Sequence, residues 1–325
     1  MKTSMLLFWR YQSRYLMAGA VLVALLLLFV CIHPRGASVN VFTAWANQGV
    51  ALALVAVGQT IVVLAGGIDI SIGSIMALCN SVTSELVQGT PTEVAAGVAA
   101  VLAIGALCGL VNGLIIVFGR IQPIVATLGT SAAYTGVALL VRPAPGGAVS
   151  DGLSDALTGA LADWFPTSLL YLFVLVLLLW LPVRRSLTGR AILAAGSAET
   201  SAFMSGLPVA RAKVVAYTLA GTFAATGGLF LALQTLSGDA TTGMPYTLNS
   251  VAAVVLGGTA LSGGSGSVLA SIAGAFILRT IGSLMFFLGV PPSAQPLFDG
   301  LVLVGAVVVG ALGLVGIRNR LEVFQ

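Results

Sequence analysis

The stretch LAGGIDISIGS, residues 64–74, decides how this chain is read. Two glycines, an acid and two hydroxyls stand between apolar segments at 43–65 and 75–88, and no other carboxylate occurs before Glu85. An acid in the middle of a continuous membrane helix costs about 2.5–3.5 kcal/mol on insertion scales. A broken helix avoids that cost. Gly66 and Gly67 can adopt the left-handed conformation that ends a helix. Asp69 or Ser71 can then cap the helix that follows, an effect of about 0.5–2 kcal/mol. The stretch therefore predicts a helix end, a tight turn and a new helix start, with Asp69 near the inner membrane face. Breaks of this kind survive in lipid only where the irregular backbone is buried in protein or lines a cavity. Asp69 can thus serve as a cap or as a contact with substrate or gate.

Composition requires the lipid setting. The chain has 325 residues, 58% hydrophobic and 7% charged, against about 25% charged in soluble proteins. It cannot cover a water-facing surface, so the reading is an all-α polytopic membrane protein. Windows of apolar residues long enough to cross about 30 Å of hydrocarbon fall at 15–33, 43–65, 68–88, 92–118, 123–141, 166–183, 214–236, 248–262, 267–289 and 296–317. These make about ten spans, some joined by broken or re-entrant turns. The first is read as retained, since no A-x-A cleavage pattern follows it.

Basic residues set the orientation. With both termini cytoplasmic, Lys2, Arg10, Arg14, Arg120, Arg184, Arg185, Arg190, Arg211, Lys213, Arg318 and Arg320 lie inside, while Arg35 and Arg142 lie outside and Arg279 lies within a span. That asymmetry is the positive-inside bias, and it accounts for the net charge of +4. No basic run with interleaved aromatics is present, so nucleic-acid binding is not expected. Cys31, Cys79 and Cys108 sit in apolar text without paired spacing and read as core-filling residues.

A second copy of the opening pattern occurs downstream. GGIDISIGS at 66–74 aligns without gaps to GGTALSGGS at 257–265, which puts Gly257 and Gly258 opposite Gly66 and Gly67 and Ala260 opposite Asp69. Both copies run in the same sense, so the turn is shared and the acid is not. GALCGLVNG at 105–113 spaces Gly105, Gly109 and Gly113 along one helix face, suited to close helix approach, with Asn112 beside them. QPIVATLGTS at 122–131 starts a span with a proline and carries Thr127, Thr130 and Ser131. Asn47, Gln59 and Asn249 add polar groups within spans. Asp69, Ser71, Asn47, Gln59, Asn112, Thr127 and Asn249 are the candidate path or gate residues.

What is missing narrows the function. The two lysines, Lys2 and Lys213, lie in no GxxxxGK[ST] loop, so this chain holds no Walker nucleotide site. One histidine, His33, cannot build a metal cluster or a His-based catalytic set. The chain is therefore not read as an enzyme, and no cofactor and no metal are expected.

GGIDISIGS resembles the GGIDLSVGS signature of the membrane permease subunits of bacterial sugar ABC importers, of the ribose, xylose, arabinose and galactose type. The resemblance continues through GLVNG, GRIQPIVATLGT, LTGRAILAAGSAETSAFMSG and YTLNSVAAVVLGGTALSGGSGSVLASIAGAFI, in order from about residue 45 to residue 310. Departures are small: Ile70 and Ile72 replace Leu and Val, and the usual N-x-x-A-A reads Ala198, Glu199, Thr200, Ser201, Ala202. The resemblance implies a single transmembrane permease domain over 1–325 in the bacterial inner membrane. It implies as partners a separate ABC ATPase, a periplasmic sugar-binding protein and a second permease copy, identical or not, all in membrane lipid. The inside loop 184–213 would hold a coupling helix from Gly196 to Gly206, with Glu199 exposed and Ser201 and Ala202 within it. The expected substrate is a monosaccharide or related polyol. Autoinducer, nucleoside or branched-chain amino acid in the same fold is the near alternative. An ion-coupled secondary transporter is the distant one, and it should carry several intramembrane acids or histidines.

Overall fold

The computed structural model describes residues 2–302 together with 304, 305 and 308. Its helices are α1 (Lys2–Ile32), α2 (Val39–Leu64), α3 (Ile72–Leu86), α4 (Pro91–Phe118), α5 (Pro123–Val141) and α6 (Asp151–Thr158). A two-residue hairpin follows, β1 (Ala160–Leu161) and β2 (Phe165–Pro166), with Leu161 opposite Phe165. The chain continues through α7 (Thr167–Leu175), α8 (Leu181–Arg185), α9 (Leu187–Ser197), α10 (Glu199–Met204), α11 (Val209–Thr235), α12 (Met244–Leu256) and α13 (Val268–Phe287). It is helical again over 295–302. The rest of the expected tenth span, with Arg318, Arg320 and the C-terminus, lies outside the described residues.

A π turn, Val176–Trp180, joins α7 to α8 in one rod. Pro182 lies in the first turn of α8. It lacks an N–H and its ring crowds the carbonyl four residues back, so the ladder widens there and the Leu181 amide donates to Val176.

Burial sorts the helices by their neighbours. The apolar window of α2 is 94% buried, while those of α5 and of the α7–α8 rod are each 17% buried. A helix that is apolar all round and buried all round is a core helix, and α2 is packed by α11, α13 and α12. Helices α4, α5 and α7 present their remaining apolar surface outward. The glycine stripe of α4 lies on α11: a Cβ added at Gly109 would stand 2.1 Å from the Tyr217 carbonyl oxygen. The two backbones touch there, as small residues at a membrane interface allow.

Helices α3 and α12 have 15 and 13 residues, about 22 and 20 Å at 1.5 Å per residue, short of the roughly 30 Å hydrocarbon core. Each is joined to a longer helix through one of the two related turns. Both turns end their first helix in the same way. Gly66 takes φ +83° and Gly258 takes φ +76°. The amides of Gly66 and Gly67 donate to Val63 and Val62, and those of Gly258 and Thr259 to Val255 and Val254. This is the double-bonded left-handed helix end. It matches Gly66 to Gly258, one position off the gapless alignment, so Gly67 and Gly257 do not share the left-handed role. The turns then diverge, because residues 65–71 lead to α3 whereas the longer run 257–267 leads to α13.

Candidate functional site

From Gly66 the chain turns back along α2 instead of starting a helix at once. Residues 67–69 have no regular structure beside the last turns of α2 and residues 70–71 turn into α3, and the backbone of Asp69 lies opposite the Gln59 side chain. With its amide oriented to satisfy both groups, the Gln59 nitrogen donates to the Asp69 carbonyl at 3.1 Å and its oxygen accepts from the Asp69 N–H at 3.3 Å. Non-helical backbone needs such a partner when water is excluded. Gln59 lies five residues before the end of α2, so Asp69 sits about 7.5 Å back along α2 from that end. It is fully buried.

One Asp69 oxygen collects two donors. Oδ1 accepts from the Ser71 N–H at 2.9 Å and from the Ser71 hydroxyl at 2.6 Å. The capping is thus by Asp69, two residues upstream; Ser71 makes no side-chain cap of its own. The Ser71 hydroxyl accepts from Asn112 Nδ2 at 2.7 Å, and Asn112 Oδ1 accepts from the Tyr134 hydroxyl at 3.2 Å. Asn112 and Ser71 therefore form a file of donors that ends on Asp69, while the Tyr134 hydroxyl lies nearer the Cys108 carbonyl, at 3.0 Å. Bonds in such a chain polarise and strengthen one another. Oδ2 of Asp69 and the Tyr217 hydroxyl are buried with no partner among the described residues.

Helix α5 closes the other side. Thr127 donates to Pro123 at 2.9 Å and accepts from the Ile70 N–H at 3.0 Å. The Ser74 hydroxyl lies 2.7 Å from that of Ser131. From α12, Thr247 reaches the Ile70 carbonyl at 3.4 Å. The start of α3 is thereby pinned to α2, α4, α5 and α12 at once.

The tip of this turn meets the basic segment. A Cβ at Gly196, near the end of α9, would lie 2.0 Å from the Leu64 carbonyl oxygen and 2.5 Å from the Gly264 nitrogen. Gly264 N–H itself donates to Leu64 at 3.2 Å. The two related turns and α9 thus converge on one backbone joint. Helix α10 follows, seated by buried Ala202 against Ala195 and Val209.

Comparison with known proteins decides the family. Residues 41–307 match the family described as branched-chain amino acid transport system / permease component. The chain belongs to that family. This permease is 33% identical to the ribose import permease protein RbsC of Escherichia coli K12 over 310 residues, 92% of this chain and 95% of that one. It is 30% identical to the autoinducer 2 import system permease protein LsrD of Photorhabdus laumondii over 312 residues, 94% and 93% of the two chains. The LsrD of Salmonella paratyphi B is 31% identical over 308 residues, 92% of each chain. No solved structure matches the chain. Each of these relatives is named as an import permease protein.

The remaining sequence candidates separate. Asn47 is far from Asp69 and donates to the Thr158 carbonyl at 2.7 Å, tying α2 to the end of α6. Asn249 donates to Asp299 at 3.1 Å. In the basic segment, Gly196 belongs to α9, and only residues 199–204 form the short helix expected from Gly196 to Gly206. Gly206 lies just past its end with φ +74°. Ser201 is exposed. Glu199 is exposed but already paired, its Oε1 accepting from Lys213 Nζ at 2.6 Å. Sequence reasoning passed over Phe203 and Met204, 72% and 81% exposed at the tip of the permease's basic segment. Two large apolar side chains beside charges were the available signal. Tyr134 and Thr247 were also passed over, because nothing in their local sequence marks the distant bonds they make.

Proposed function

We propose that this permease forms the transmembrane path of an ATP-driven importer in the bacterial inner membrane, carrying a monosaccharide or related polyol. The likeness to a ribose import permease along nearly the whole of both chains carries the reading. In it a periplasmic binding protein delivers the sugar, a second permease copy completes the path, and a separate ATPase chain hydrolyses ATP. Residues 1–325 act as one membrane domain.

Residues 184–213 are the ATPase-facing segment. Phe203 and Met204 fit a cleft in the partner, while Glu199 and Lys213 hold α10 to α11 and Ala202 seats it. The joint of Gly196 with Leu64 and Gly264 links this segment to the turn that bears Asp69. Movement of α9 therefore bears directly on the point where α2 ends. Asp69, Ser71, Gln59, Asn112 and Thr127 act as one bonded block at the inner side of the path, and Asp69 holds the turn as a unit that moves with the gate.

The LsrD relatives favour autoinducer 2 as the second substrate reading. Uptake of labelled ribose and of autoinducer 2 by cells expressing the permease with its neighbouring ATPase and binding protein tests both. Ribose uptake that depends on all three chains supports the first reading. Uptake of autoinducer 2 alone supports the second.

A further inference from the structure

The strongest feature outside the Asp69 network is a cavity of about 490 Å³ at the end of the bundle opposite the basic segment. Its size falls in the range of small-molecule sites, roughly 300–1,000 Å³. Five helices build it: Phe29 of α1, Trp45 and Gln48 on the first turns of α2, Gln234 on the last turn of α11, Tyr246 of α12, and Arg279 and Ser283 on the last turns of α13, with Gln295 beyond them.

These groups are pre-set. Trp45 donates its indole N–H to Thr280 at 2.8 Å and packs against Phe276, with ring centroids 4.8 Å apart. Its donor is thus satisfied, and with Phe42 stacked on it at 5.3 Å it stands as a fixed, buried part of the wall. The Arg279 guanidinium lies 4.7 Å over the Tyr246 ring, a placement that orients its remaining donors. Arg279 Nε is buried without a partner among the described residues. Ser283 donates to Gln48 at 3.0 Å. Among the described residues that line the cavity there is no carboxylate.

We propose that this cavity is a binding site for a neutral monosaccharide or polyol on its way into the path. Phe286, exposed in the lining, offers an aromatic surface to the C–H side of a sugar ring. The glutamines, a serine and a guanidinium suit its vicinal hydroxyls, each of which both donates and accepts. The proposal rests on the sugar-import reading above and deepens it.

The test uses the assembled transporter, with its own ATPase and binding protein, in proteoliposomes. Uptake of labelled ribose, xylose, galactose and leucine first identifies what is imported. Then Gln234→Cys, in a Cys31→Ala background, is modified from outside by a membrane-impermeant thiosulfonate without binding protein. The imported sugar, at ten times its Kd for the cavity, should slow modification about tenfold by mass action, whereas its mirror-image form should not. A cysteine placed at exposed Asp155 should be unaffected by either. Gln48→Cys serves as the second probe if the first variant does not assemble. Import of a sugar with no slowing at either position overturns the cavity proposal and leaves the import reading intact. Import of leucine alone, or of none of the four, overturns the sugar reading and the cavity proposal with it.

Discussion

The side-chain amide of Gln59 pairs with both backbone polar groups of Asp69, at 3.1 and 3.3 Å, inside a bundle that excludes water. Gln59 thus supplies to a residue outside any helix the two bonds that a helix would have supplied. Replacing it by leucine leaves a buried N–H and a buried C=O unpaired, each costing about 1–3 kcal/mol. Gln59→Leu should lower the yield of folded permease and its melting temperature in detergent, measured by fluorescence-detected size exclusion. An unchanged profile would mean that the turn does not need this partner.

Asp69→Asn keeps an oxygen for the two Ser71 donors but changes the charge and puts an amide NH2 where Oδ2 now lies. The variant should assemble with its partners and transport more slowly. Asp69→Ala removes the acceptor altogether and should lower both assembly and transport. Comparing complex yield with the initial uptake rate separates the two effects. Normal transport by Asp69→Ala would remove Asp69 from any role in the path or its gate.

Gly196→Ala places a methyl group 2.0 Å from the Leu64 oxygen, a distance that forces α9 away from the α2 turn. The ATPase should still bind, since Phe203 and Met204 remain exposed, but its hydrolysis should no longer respond to binding protein. Pull-down of the ATPase, together with its rate with and without sugar-loaded binding protein, reads this out. Retained stimulation would show that the joint carries no signal.

Phe203→Ala and Met204→Ala together should weaken capture of the ATPase, since large apolar side chains commonly dominate such contacts at about 2 kcal/mol or more each. Glu199→Gln should have a smaller effect, because it loosens only an exposed pair with Lys213, worth about 0–1 kcal/mol. Titration of detergent-solubilised permease with ATPase gives both values. A larger loss for Glu199→Gln than for the double variant would reverse the assignment.

Much of this molecule is legible in its sequence, and the part that is not has a physical cause. Helix positions follow from lipid alone, since apolar length and proline or glycine punctuation mark the α2, α4 and α5 limits within a few residues. The glycines of α4 announce the close contact with α11 by their spacing. Asp69 announces a broken helix by being an acid in apolar text. Its pairing is another matter, because it depends on residues 67–69 running back along α2, and Gln59 reveals its part only through a bond across the turn. The second turn misleads for a related reason: its GG pair aligns by letter, but the left-handed position is fixed by where α12 ends. The outer cavity is drawn from α1, α2, α11, α12 and α13, and no local motif marks it beyond Arg279 lying within a span.

The central claim is that this permease is driven by a partner ATPase. Its most direct test is ribose uptake into proteoliposomes containing permease, ATPase and binding protein, with ATP inside or outside and with a proton ionophore added. Uptake should require hydrolysable ATP on the ATPase side, vanish when the ATPase is inactivated, and be indifferent to the ionophore. Uptake that survives loss of ATPase activity and collapses with the proton gradient would contradict the account.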